Sequence, residues 1–313
     1  MTTLQPNLPP SSQSWGNILI SHARQHPLVA TGLLTATVAV ALLLLQSLIQ
    51  IVRGEATLFA QFALLGGSAG FLATAAGAAP ALLLRGIRQS TEDAMLGFAA
   101  GMMLAAAAFS LILPGIDAGT EMTGSALGGG ILVVIGLFLG AALMLGLDEF
   151  TPHEHDKTGP CGPGHERCDR AWLFVFAIAL HNLPEGMAVG VSFAQGDISV
   201  GLPLATAIAL QDIPEGLAVA LTLRAAGFKP GFAVFIAAGS GLLEPVGALL
   251  GVGLAGGLML AYPIGLGLAA GAMLFVVSHE VIPETHRNGH QTVATLGLMT
   301  GFSLMMVLDT ALG

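Results

Sequence analysis

Nine stretches of about 20 or more mostly apolar residues follow one another along this chain, at 28–52, 57–84, 94–116, 126–147, 171–193, 198–222, 231–253, 262–282 and 291–312. That pattern excludes a water-soluble globule. A helix crosses the hydrocarbon core of a bilayer with about 20 apolar residues, because it satisfies its own backbone hydrogen bonds without water. Composition agrees: charged residues make up only 9% of the chain, against about 25% in soluble domains. Glycine reaches 43 of 313 residues. Membrane helices need such small residues at their contacts, and Gly66/Gly70, Gly97/Gly101, Gly247/Gly251 and Gly267/Gly271 are spaced for that purpose. The fold expected is all-α, a polytopic bundle of nine transmembrane helices.

Charge sets the orientation. With the N-terminus inside, cytoplasmic segments hold Arg24, Arg85, Arg88, Lys157, Arg167, Arg170, Arg224, Lys229 and Arg287, and the outside holds only Arg53. The positive-inside rule therefore places the N-terminus in the cytoplasm and the C-terminus outside. Ten Lys and Arg in all leave no nucleic-acid surface. Residues 1–27 are polar and Pro/Ser-rich, without the short apolar core and small-residue site of a cleaved signal. The longest connection, about 148–170, is rich in Pro, Gly and charge and is expected to be a mobile cytoplasmic loop.

Ionisable residues inside hydrocarbon are costly and mark function. The first four spans carry none. The fifth carries His181-Asn182-Leu183-Pro184-Glu185-Gly186, and thirty residues on the sixth carries Gln211-Asp212-Ile213-Pro214-Glu215-Gly216. One motif is written twice. His181 and Asn182 lie four and three residues before Glu185, so the three share a helix face, and Gln211, Asp212 and Glu215 repeat the spacing. Pro184 and Pro214 leave the carbonyls of Leu180 and Leu210 without their usual partners and kink their helices, as half-broken helices do where they line a site. Glu244-Pro245 adds a third proline-flanked acid. Ionised, Glu185, Asp212, Glu215 and Glu244 carry −4, with no Lys or Arg in any span to balance them. Two divalent cations would neutralise the set, with Glu185 and Glu215 able to bridge. Such nitrogen and oxygen ligands suit Zn²⁺, and also Mn²⁺, Fe²⁺ or Cd²⁺.

The pair HNLPEG and QDIPEG resembles the ZIP family of divalent-metal transporters, particularly its bacterial members. The resemblance covers about residues 57–313, corresponding to eight helices, and leaves 1–56 as an N-terminal tail with an extra helix. It implies a cation pathway into the cytoplasm, metal ligands at His181, Asn182, Glu185, Gln211, Asp212, Glu215 and Glu244, and a homodimer of bundles that slide as an elevator. The family is a transporter, not an enzyme, so no catalytic cofactor is expected.

Along such a path, Asp117 and Glu121 after the third span and Asp309 late in the last could form an acidic entrance. His279, Glu280, Glu284 and His286, with His290 close by and Asp148 and Glu149 on the same side, could form the exit. Met103, beside Met102, offers a soft thioether, although ordinary packing also explains it. His153, His155, Cys161, His165 and Cys168 could trap cytoplasmic metal, but match no zinc-finger spacing. Two rival classes are a metal-dependent intramembrane hydrolase and a proton-coupled carrier of another solute. The first lacks His-Glu-x-x-His, because His279-Glu280 leads into Val281-Ile282-Pro283. The second is not favoured by a ligand set this suited to cations. The reading reached is an importer of Zn²⁺, or another divalent metal, in a bacterial inner membrane, in contact with lipid.

Overall fold

The computed structural model describes residues 15–34, 38, 49, 53, 58–84, 86–151, 153–155, 159–161, 170–194, 198–255 and 260–312. Its helices are α1 (Trp15–Gln25), α2 (Leu58–Ala78), α3 (Gln89–Ala105), α4 (Leu113–Thr123), α5 (Ala126–Phe150), α6 (Arg170–Phe193), α7 (Ile198–Ala225), α8 (Pro230–Ser240), α9 (Leu243–Ala255), α10 (Ala261–Val276), α11 (Ile282–His286) and α12 (Gln291–Leu312). Seven helical segments among the described residues are long and apolar enough to cross a membrane. Of the other two expected spans, α6 occupies the place of one with 24 residues, and 28–52 lies mostly outside the described residues.

The boundaries shift for physical reasons. The third expected span becomes one helical run from Gln89 to Thr123, so Asp117 and Glu121 ride on the exposed face of α4 and not in a loop. Gly124 stops it with φ 68°, a left-handed conformation that glycine adopts without penalty. Ser125 then caps α5 by accepting from the Gly128 amide. The polar N-terminal tail contains a helix, α1, which its Pro/Ser content did not foretell. The expected mobile loop includes a short antiparallel hairpin, β1 (His153–His155) on β2 (Gly159–Cys161), that pairs His153 with Cys161. His165 and Cys168 lie outside the described residues.

Prolines are absorbed in two ways. α6 and α7 remain single helices through Pro184 and Pro214, so each loses a hydrogen bond within a continuous rod. Before Pro114 and Pro283 the backbone widens into π-helical turns, Ala106–Ile112 and Val277–Val281. These join α3 to α4 and α10 to α11. The clean interruption falls elsewhere, at Gly241–Leu242 between α8 and α9, which places Glu244 in the first turn of α9.

The spanning helices sort into two groups. In one, α2 packs along α7 and α9 along α6, with α8 alongside. In the other, α12 packs along α3, and α10 along α5. Glycines set these contacts, because lipid chains are as apolar as leucine and only close van der Waals approach favours helix pairing. A Cβ on Gly97 or Gly101 would strike the backbone of α12, and one on Gly267 or Gly271 the backbone of α5. All four glycine pairs singled out in the sequence sit at helix contacts. Between the groups runs an apolar seam in which Ala100, Ala105, Ala188, Ala207 and Ala269 lie among larger side chains such as Met102, Met103, Leu204 and Met273. Outward-facing Leu127, Ile131, Phe138, Leu296 and Met299 are exposed, as a lipid-facing surface requires.

Candidate metal centre

The paired motif lies wholly within the first helix group. α6 presents His181, Asn182 and Glu185, α7 presents Gln211, Asp212 and Glu215, and α9 presents Glu244. All seven are buried, with Glu185 and Gln211 at 0% exposure. Carboxylate oxygens of Glu185, Asp212 and Glu215 come within 4.8 Å of one another. The carboxylates of Asp212 and Glu244 both face Gly70, where a Cβ would meet an oxygen of each.

The glycine that ends each motif explains this convergence. A Cβ on Gly186 would collide with the backbone carbonyl of Glu244, and one on Gly216 with that of Thr74. Each Pro-Glu-Gly thus brings a neighbouring helix against the turn that carries its glutamate. Gly70 of α2 makes further room, since a Cβ there would occupy the place of the Glu244 carboxylate.

Hydrogen bonds satisfy the cluster only in part. Gln211 Nε2 donates to Glu185 Oε1 at 2.5 Å, and Thr74 Oγ1 to Glu244 Oε1 at 3.1 Å. Glu185 Oε2, Gln211 Oε1, Asp212 Oδ2, both oxygens of Glu215 and Glu244 Oε2 are buried without a hydrogen-bond partner. Burying an unpartnered polar atom costs about 1–3 kcal/mol, and six such oxygens crowd one place. No Lys or Arg is among the buried charged residues described. A divalent cation fits this donor set, because it meets several oxygens at once and supplies the missing positive charge.

The remaining expected residues are dispersed. Met103, with Met102, is fully buried in the apolar seam on α3, in the helix group opposite the carboxylates. Asp117 is exposed, while Asp309 accepts a 2.6 Å hydrogen bond from the buried Ser110. The exit group divides. His279 and Glu280 meet Asp148, with His279 Nε2 3.9 Å from its carboxylate. Glu284 instead pairs with Arg287 at 3.1 Å, and His286 Nδ1 lies against Thr285 Oγ1 and the Ile282 carbonyl. α11 turns these side chains to different partners, so the four do not form one cluster.

Three features escaped the sequence reading. Asp93, one residue before an expected span, is 1% exposed and bonds His290 Nδ1 at 2.8 Å and Asn288 Nδ2 at 3.0 Å. Its position just ahead of the expected apolar span made it look solvated. Thr74 gave no signal, being one hydroxyl in a Gly/Ala helix. His22 and His26 were passed over in the tail, although their i,i+4 spacing marks a shared helix face.

Comparison with known proteins agrees with the geometry. Residues 149–309 match the family described as ZIP Zinc transporter. The zinc transporter ZIPB of Bordetella bronchiseptica is 62% identical over 94% of this chain and 95% of its own length. The zinc transporter GufA of Myxococcus xanthus is 43% identical over 77% of this chain and 95% of its own. The human zinc transporter ZIP11 is 32% identical over 77% and 94%. With a motif-bearing helix bundle, a matching family signature and a relative along nearly its whole length, the chain belongs to the ZIP family of metal transporters.

Proposed function

We propose that this protein imports Zn²⁺ into the cytoplasm through the carboxylate cluster of α6, α7 and α9. The observation that carries the reading is the convergence of Glu185, Asp212 and Glu215 with orphaned oxygens and no Lys or Arg among the buried residues described. The names of the relatives, zinc transporters all, support zinc as cargo. Cd²⁺, Fe²⁺ and Mn²⁺ share enough ligand chemistry to compete.

The ligands proposed are His181, Asn182, Glu185, Gln211, Asp212, Glu215 and Glu244, arranged for two ions bridged by Glu185 and Glu215. The carbonyls that Pro184 and Pro214 leave unbonded would ease local bending around the ions. Cargo would approach past Asp117 and Asp309, with Met103 as a soft contact, and leave past His279, Glu280 and Asp148, then Glu284 and His286. The apolar seam between the helix groups, which no ion pair crosses among its described members, would let the carboxylate-bearing group move against the other, an elevator motion. Exposed apolar faces suit lipid and a homodimer contact. The location proposed is a bacterial inner membrane, N-terminus inside, with the transport core over 57–313.

The test is metal flux into proteoliposomes holding the purified chain. Zn²⁺ uptake is expected from the parent and is expected to be lost in Glu185→Ala and Glu215→Ala that still fold. Absence of uptake by a folded, correctly oriented parent would overturn the reading.

A further inference from the structure

Outside the membrane cluster, three metal-ligating side chains converge where the N-terminal helix meets the core. His22 of α1 and His26, one turn on, both direct Nε2 at a single oxygen of Glu149, at 3.3 and 3.5 Å. The helical bond from the His26 amide to the His22 carbonyl continues α1 far enough to align the rings. All three donor atoms lie within 4.8 Å of one another. Ligand atoms bonded to a tetrahedral zinc ion at about 2.0–2.2 Å stand about 3.3–3.6 Å apart, so both spacings match the edges of a zinc tetrahedron.

A plain ion pair accounts for the arrangement less well. His22 Nε2 is buried and makes no hydrogen bond, even to the oxygen it faces. The two rings stand only 4.6 Å apart, so protonating both to pair with one carboxylate would set like charges side by side. Phe150 packs edge-on against His22 at 5.1 Å and holds that ring in place. Two neutral imidazoles and one carboxylate form a three-ligand set with a fourth position open to water, a pattern zinc accepts.

We propose that His22, His26 and Glu149 bind a divalent cation of the zinc class, which ties α1 to the end of α5. Glu149 adjoins Asp148, whose carboxylate faces the separate His279–Glu280 group. The site stands apart from the membrane carboxylates.

Arg24 lies between the two histidines and is exposed, so tryptic cleavage after it reads whether α1 is held. In chelator-stripped full-length protein in detergent, Zn²⁺ at about ten times its dissociation constant should slow that cut about tenfold. His22→Gln/His26→Gln and, from the other element, Glu149→Gln should lose the protection and bind one Zn²⁺ fewer per chain. Equal slowing in parent and variants, or no slowing in the parent, would overturn the proposal.

Discussion

The two copies of the motif are twins in sequence and unequal in structure. Glu185 is held by a hydrogen bond from Gln211 and stands against Asp212, whereas both oxygens of Glu215 are buried without a hydrogen bond. Their glycines differ too, since Gly186 admits the backbone of Glu244 and Gly216 that of Thr74. The first motif therefore docks the helix that brings another carboxylate, and the second docks a helix that supplies only a hydroxyl. A duplicated sequence has produced one anchored carboxylate and one without a hydrogen bond.

The largest effect should come from the second copy. Glu215→Ala is expected to lower Zn²⁺ affinity about 100-fold, near 2.8 kcal/mol, measured by titration of the detergent-solubilised protein. An unchanged affinity would break the comparison at its base. Gly186→Ala and Gly216→Ala should each destabilise the fold by about 1–3 kcal/mol through helix separation. Thermal unfolding reads this, and a variant that matched the parent would remove the packing role of its motif.

Gln211→Leu sharpens the asymmetry. It removes the bond to Glu185 at a cost of about 1–2 kcal/mol, while no hydrogen bond among the described residues steadies Glu215 in the same way. Stability should fall in this variant even without metal, and Zn²⁺ affinity about tenfold as the ligand loses its orienting partner. The smallest change is Arg287→Ala, which breaks the partly exposed pair with Glu284. A loss of under about 1 kcal/mol is expected, with uptake close to the parent's. A large loss of uptake would place Arg287 in the pathway beside Glu284.

Legibility in the sequence followed range. The polar cluster was readable because its residues sit three and four apart on single helices, and because charge in an apolar run is conspicuous. Glu244 was readable for the same reason. Asp93 was not, since it stands at a helix end where exposed and buried acids look alike until His290 and Asn288 arrive from the far end of the chain. The split of the exit residues was equally hidden. Spacing placed Glu284 and His286 near His279, but the π-helical turn before Pro283 and the neighbours of α11 decide what each one faces.

The amino-acid sequence by itself determined that this chain spans a membrane, that two helices carry matching polar faces, and that those faces suit a divalent cation. Hydrophobic length and helical periodicity are local properties, written within a few turns. Only the tertiary structure decided that Glu215 is unpartnered while Glu185 is anchored, that α6 and α7 run unbroken through their prolines, and that His22 and His26 meet Glu149. Each of those depends on which helix lies beside which. In a bilayer that choice rests on the fit of small residues against distant backbone, a relation between positions far apart in the chain that no short window of sequence contains.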